Sequence, residues 1–260
     1  MTRSGYQLGD FDDVGQEVLR LQAQARVVAD LEDEAYLALG IPERGTGVDL
    51  GCGPGFVAAR LRRLRPGLTM FGVDVDGQTL LRASPLLAVA RADLLQLPFR
   101  SGAFDFAFSR LVLRHVSEPA TALAEVARVL RPGGVVMIED CDDGSIVLDP
   151  EPPNFQTVLQ ARHAALRRRG ADPFLARHLP ALLRALPFHP VQVRALPVTS
   201  EQIGVEAFAK IVLAPATEAI DDDLLPRDTV LDARRHIEAW SKAPSSFGMT
   251  TALVMRGVRT

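Results

Sequence analysis

The sequence predicts an α/β fold, a mostly parallel sheet with helices on both faces. Two observations carry this. Between residues 46 and 139, short apolar runs of strand length alternate with segments of helical period, the pattern left by parallel strands and their crossover helices. The first run also passes directly into a glycine-rich turn, Gly51-Cys52-Gly53-Pro54-Gly55, that opens the first helical segment. Ligands meet sheets of this class at such turns.

The elements follow in order. Residues 46–50 read as strand one and 56–64 as a helix ended by Pro66-Gly67. Residues 69–73, 86–92 and 104–109 give strands two to four. A helix over 119–130 has Pro119 in its first turn and Pro132-Gly133-Gly134 as its stop, and strand five follows at 135–139. Beyond Glu139 the pattern turns helical. Phe155, Val158, Leu159 and Leu166 keep a helical period up to Gly170, and Asp172-Pro173 restarts a helix that runs to Ala185. Strand six is expected at 191–196, helices at 205–213 and 226–240, and a last strand at 251–258, which makes seven strands.

A chain of 260 residues, 47% of them hydrophobic, suffices for one large domain or one with a substantial insertion. A formal net charge of -3 gives no reason to expect nucleic acid or an anionic membrane as partner. The two cysteines, Cys52 and Cys141, fit neither a zinc spacing nor a disulfide framework and read as reduced residues of a cytoplasmic protein. No apolar signal core follows Met1, and no apolar stretch approaches the ~20 residues that span a bilayer. The run Asp221-Asp222-Asp223 reads as a solvated loop, and no metal site is expected.

The glycine turn is chemically informative. Glycines at alternate positions let the backbone turn tightly and approach a ligand. Asp49, two residues before Gly51, places negative charge where a nucleotide pyrophosphate would otherwise lie. Together they favour a cationic ligand without phosphate, and S-adenosylmethionine (SAM), with its sulfonium and ammonium groups, is one. The dinucleotide fingerprint G-x-G-x-x-G fails on spacing: Gly51 and Gly53 fit, but its third glycine would fall at Phe56.

From Val48-Asp49-Leu50-Gly51-Cys52-Gly53-Pro54-Gly55 and four further motifs, the chain resembles the class I SAM-dependent methyltransferases. Within them it resembles the small-molecule group that includes ubiquinone- and menaquinone-pathway enzymes and natural-product tailoring enzymes. The resemblance is clear from about residue 5 to 140 and weaker at the last strand. It implies a Rossmann-like fold of seven strands with SAM as cofactor and S-adenosylhomocysteine (SAH) as product. It also implies one domain over 1–260: an N-terminal helical lid (1–45), a SAM-binding core (46–140), variable substrate-capping helices around strand six (141–250) and a last strand (251–260).

The resemblance assigns the site residue by residue. Gly51, Cys52, Gly53, Gly55 and Asp49 surround the cofactor. Asp74, at the end of strand two in Phe71-Gly72-Val73-Asp74-Val75-Asp76, reaches the ribose diol, with Val75 beside it. Asp93 takes the adenine amino group, and the backbone amide of Leu94 meets a ring nitrogen. Arg110 belongs to the stretch 104–116 beneath the methionine end, and Val129-Leu130-Arg131-Pro132-Gly133-Gly134 is a structural marker. Tyr6 matches a subgroup pattern together with Glu17, Arg20, Leu21 and Gln24, which share one helix face. Arg20 either pairs with the methionine carboxylate or is the solvated arginine of an ordinary amphipathic helix.

The implied reaction is methyl transfer to an oxygen, nitrogen or carbon nucleophile. No Asn/Asp-Pro-Pro-aromatic or Pro-Cys sequence stands after strand four, where Ser109-Arg110-Leu111-Val112 lies, so nucleobase methylation is disfavoured. The apolar insertions suggest a roof over a small, fairly hydrophobic substrate. His115 and Asp140 are the candidate catalytic groups, the first as base or structural hydrogen-bond partner, the second, like Asp142, as a group that orients a hydroxyl. The alternative is a SAM-binding protein of the same fold that catalyses a cyclisation or pericyclic reaction. A homodimer is compatible with the sequence and not encoded by any motif in it.

Overall fold

The computed structural model describes residues 14–218 and 220–260, and Tyr6 lies outside them. Strands β1 (Arg44–Leu50), β2 (Gly67–Asp74), β3 (Ala88–Arg91), β4 (Phe104–Arg110) and β5 (Leu130–Cys141) run parallel in the order β3-β2-β1-β4-β5. Strand β8 (Phe247–Arg259) pairs antiparallel with β5, and β7 (Phe188–Thr199) covers its other edge. An eighth strand, β6 (Val147–Asp149), pairs with β8 beyond the point where β5 leaves it. Seven strands were expected. This one is three residues long and offers no alternating run from which to read it.

Strand β4 shows how the sheet divides its two faces. Phe106 and Phe108 are fully buried against Tyr36 of helix α2 (Ala29–Ala38) and Leu61 of α3 (Phe56–Leu64). Ala107 points the other way, into a cluster with Leu123 and Val126 of α5 (Pro119–Val129). Each large side chain buried in this manner contributes about 1.5–3 kcal/mol. A separate cluster, Phe155, Leu159, Phe208 and Trp240, packs the helices above the sheet edge: α6 (Phe155–Arg168), α9 (Val205–Phe208) and α10 (Arg227–Lys242).

Local chemistry explains the other departures. Asp76 caps a short helix, α4 (Gly77–Ala83), by accepting from the Gln78 N–H at 2.9 Å. Asp172 turns its carboxylate onto the Phe174 N–H at 2.9 Å, so the chain makes turns there. The helix expected from residue 172 is only α7 (Leu179–Arg184), started at Pro180. Among the described residues no helix is long and apolar enough to cross a membrane.

Helix α2 is fastened to the sheet by charge. Glu32, 1% exposed, bonds Arg60 of α3 and, at 2.6 Å, the Nη2 of Arg110 at the end of β4. Arg110 also faces Glu139 of β5 at 3.6 Å, and the Tyr36 hydroxyl donates to the other Glu139 oxygen. Burial opposes charge on the guanidinium of Arg110, yet Glu32 and Glu139 beside it raise its pKa. Arg60 is raised in the same way by Glu32.

Removing the shared carboxylate should therefore cost far more than a surface pair. For Glu32→Ala we expect a loss of about 3 kcal/mol in urea unfolding, because two buried guanidinium groups lose their shared partner and keep only Asp33 and Glu139. A loss below about 1 kcal/mol would show that the cluster does not hold α2 in place.

Candidate functional site

The order of the parallel strands reverses between β1 and β4, and a crevice opens there at their C-terminal ends. It holds a cavity of about 330 Å³. The floor is the glycine turn. Gly51 has φ +70°, and a Cβ there would lie 2.5 Å from Val112. The Gly51 and Cys52 N–H groups donate to the Val73 carbonyl at 2.8 and 2.9 Å, which locks the turn to β2. Gly53 has φ +53°, and a Cβ there would meet nothing within 4 Å, so its backbone faces open space. Gly55 follows and caps α3.

Carboxylates gather around this turn. Asp74 accepts from the Gly53 and Asp76 N–H groups, each at 3.0 Å, and burial raises its pKa despite those bonds. Asp49 is 3% exposed, and burial together with Asp74 pushes its pKa up to about 7. Asp93, after β3, accepts from the Leu95 N–H at 3.0 Å, and Ala92, Leu94 and Val75 give that wall an apolar surface. From above, helix α1 (Val14–Val27) brings Arg20, Leu21 and Gln24 to the cavity. Arg20 bonds Glu17 through its Nε at 2.7 Å. Arg110 reaches the wall as well, with its guanidinium engaged by Glu32 and Glu139.

The far end is basic and roofed. His115 closes a single 3-10 turn, Leu113–His115, after β4. Arg114 beside it bonds Asp143 at 2.7 Å, and the second Asp143 oxygen meets His163 of α6 at 3.1 Å. Burial would raise Asp143, but Arg114 and His163 hold it down at about 2. The roof comes from Leu159 of α6, Leu196 and Val198 of β7, and Ile211, Val212 and Pro215 beyond α9.

The two candidate catalytic groups are placed differently. His115 does line the cavity, but burial and the neighbouring Arg114 and Arg162 push its pKa down to about 3, so it is a weak base. Asp140 is fully buried and does not line the cavity; it accepts from the Arg114 and Cys141 N–H groups at 3.1 and 2.9 Å. Asp142 turns away onto Arg177. The three successive carboxylates Asp140, Asp142 and Asp143 thus point to three different partners.

Sequence reasoning passed over Glu32, Glu139 and Arg162. Glu32 had no visible partner, because Arg60 and Arg110 are distant in the chain. Arg162 carried a readable signal: it lies four residues after Val158 and four before Leu166, on the stripe that α6 buries.

Comparison with known proteins places this geometry. A family model described as "Methyltransferase domain" matches residues 48–138. A trans-aconitate 2-methyltransferase of Azoarcus sp. (strain BH72) is 31% identical over 199 residues, covering 72% of this chain and 75% of that protein. The chain spans about half the length or less of three further curated relatives it matches, 32%, 52% and 48%. Among solved structures, a SAM-dependent methyltransferase of Thermotoga maritima, described as a possible histamine N-methyltransferase, superposes with TM-score 0.58 at 19% identity, over 98% of this chain and 100% of that one. The [4+2]-cyclase SpnF superposes with TM-score 0.54 at 21% identity, over 86% and 80%. At these identities the structures speak for the fold alone.

The His115 environment is open to direct measurement. Its ring resonances, assigned by comparison with His115→Gln, should stay flat between pH 5 and 8, since a pKa near 3 leaves the imidazole neutral throughout. A titration step in that window would restore His115 as a candidate base.

Proposed function

The chain belongs to the class I SAM-dependent methyltransferases, and on that premise we propose that it methylates an oxygen, nitrogen or carbon nucleophile of a small, largely apolar metabolite. The carrying observation is the division of one cavity into a glycine-lined acidic floor and an apolar roof. The floor fits SAM on its own terms. Open space above Gly53 admits a ligand against the backbone, and Asp49 and Asp74 are buried with raised pKa, Asp74 despite two backbone N–H donors and Asp49 despite Arg110, so a cation beside them would favour their charged forms.

In this reading each Asp74 oxygen, already accepting one backbone N–H, keeps a lone pair for a ribose hydroxyl. Asp93 and the Leu94 amide face the adenine edge, with Val75 against the ring. Asp49 and the backbone of Gly51, Cys52, Gly53 and Gly55 surround the methionine end. Arg20 is placed for the methionine carboxylate, and Arg110 supports the wall through Glu32 and Glu139. Bound SAM supplies an electrophilic methyl carbon on a positively charged sulfur. The roof excludes water and holds the acceptor in line with that carbon, at roughly 3–3.5 Å. The weak basicity of His115 argues against its use as the base.

The same weak basicity keeps a second reading in view, a non-methylating rearrangement with SAM retained. Product mass separates the two: a gain of one methylene, or an isomer of the substrate.

Two outcomes test the cofactor assignment. Asp74→Ala should weaken SAM binding at least roughly tenfold by calorimetry with an unchanged circular dichroism spectrum, as loss of hydrogen bonds to two hydroxyls requires. Unchanged affinity would move the ribose elsewhere. The second outcome concerns protons. Without ligand Asp49 is mostly protonated at pH 6, because its pKa is about 7. A cation beside it favours the carboxylate, so SAM binding at pH 6 should release up to roughly one proton, fewer as pH rises past 7, and affinity should rise with pH over that range. Calorimetry in two buffers of different ionisation enthalpy measures the release, and Asp49→Asn should abolish it. Binding without proton release would remove Asp49 from the methionine end.

A further inference from the structure

Four arginines line the cavity: Arg20, Arg110, Arg114 and Arg162. Three of them have carboxylate partners. Arg20 pairs with Glu17, Arg110 with Glu32 and Glu139, and Arg114 with Asp143. Arg162 stands apart: among the described residues it forms no hydrogen bond and no ion pair. Asp143 and Glu218 are near enough to attract it, but Asp143 is spent on Arg114 and His163, and neither carboxylate lies within ion-pair distance of Arg162.

A cation in this position is costly. Helix α6 presents Arg162 on the stripe of Val158, Leu159 and Leu166, which pack into the core. Burial, together with Arg114 and Arg20, pushes its pKa down to about 10 against the pull of Asp143 and Glu218, so it remains charged at neutral pH without an ion-pair partner. A partly buried charge of this kind is retained at a cost to the fold unless something pairs with it. The cavity that it lines also presents the apolar side chains of Ile146, Leu159, Val212 and Pro215.

Resting on the methyltransferase reading, we propose that Arg162 anchors a carboxylate on the methyl acceptor, which makes the acceptor class an apolar organic acid. The guanidinium holds the two carboxylate oxygens through paired N–H donors, and the hydrocarbon body lies against the roof. The acidic floor around Asp49, Asp74 and Asp93 repels the same carboxylate. The acceptor is therefore orientated along the cavity by charge, its acid at the Arg162 end.

The test uses SAH-loaded full-length protein titrated with hexanoate, benzoate and cinnamate, and with the corresponding neutral amides. At least one acid should bind roughly tenfold or more tightly than its amide, as a charge-assisted pair against a neutral one implies. Arg162→Gln should erase that preference while the SAH affinity stays at the wild-type value, and Arg162→Lys should keep part of it. Thermal unfolding adds a readout that a structural arginine would not give: Arg162→Met should raise the Tm of the ligand-free protein by removing an unpaired, partly buried charge. Equal binding of acids and amides, or no binding by any acid of the panel, overturns the proposal. So does a loss of SAH affinity in Arg162→Gln, which would make this residue a cofactor anchor, or a fall in Tm for Arg162→Met. Failure of the wild-type protein to bind SAH is a different result, and it would remove the methyltransferase reading itself.

Discussion

One buried carboxylate organises the molecule around its cavity. Glu32 is held between Arg60 on α3 and Arg110 at the tip of β4. Through Arg110 and Tyr36 the same network reaches Glu139 on β5. A salt bridge at the surface would contribute little, but here neither partner can turn to water. The consequence is geometric. Helix α2 is fixed against α3 and the C-terminal ends of β4 and β5, and α1, which precedes it, is carried over the glycine turn. Arg20, Leu21 and Gln24 reach the cavity because Glu32 holds the helix after them.

That clamp also sorts the cavity's charges. Arg110 is engaged by Glu32 and Glu139, and its positive charge offsets the floor carboxylate of Asp49 only in part. Asp49 and Asp74 are left facing each other with little compensation, which is why burial and mutual repulsion lift Asp49 to about 7. At the other end Arg114 is matched by Asp143, while Arg162 is not matched. The cavity is therefore polarised, acidic below the glycine turn and basic under α6. A ligand pair with a cationic centre at one end and an anion at the other satisfies both ends.

How much of this could be read from the sequence depends on chain distance. The parallel core was legible because strand and helix periods are local, and the glycine turn because φ values of +70° and +53° select glycine. Asp74 and Asp93 were legible because both stand at strand ends within a repeating βα unit. The Glu32 network was not: its members lie on α2, α3, β4 and β5, and nothing local distinguishes Glu32 from a solvated helix residue. The surroundings of His115 and Asp140 were hidden for a related reason. Both occupy the ligand-binding edge, but a strand alternates its faces. Asp140 points away from the cavity and is bound to backbone N–H groups, while His115 is depressed by arginines, one of which comes from the distant α6.

The ionisable groups that line the cavity also constrain the chemistry. Asp143 is held ionised down to about pH 2 and attracts a proton only weakly. His115, with a pKa of about 3, is a far weaker base than an ordinary imidazole. Burial pushes the thiols of Cys52 and Cys141 up, so neither supplies a thiolate. Glu139 is raised by burial and engaged by Tyr36 and Arg110, and Asp49, in the reading proposed above, faces the cationic end of the cofactor. None of these groups is poised to remove a proton from an acceptor of high pKa. An acceptor suited to this cavity brings its own nucleophilicity, as an amine with an available lone pair, an oxygen that ionises near neutral pH, or an electron-rich carbon. In-line positioning against the methyl carbon then supplies the rate advantage, and proximity alone can account for a large part of such a barrier.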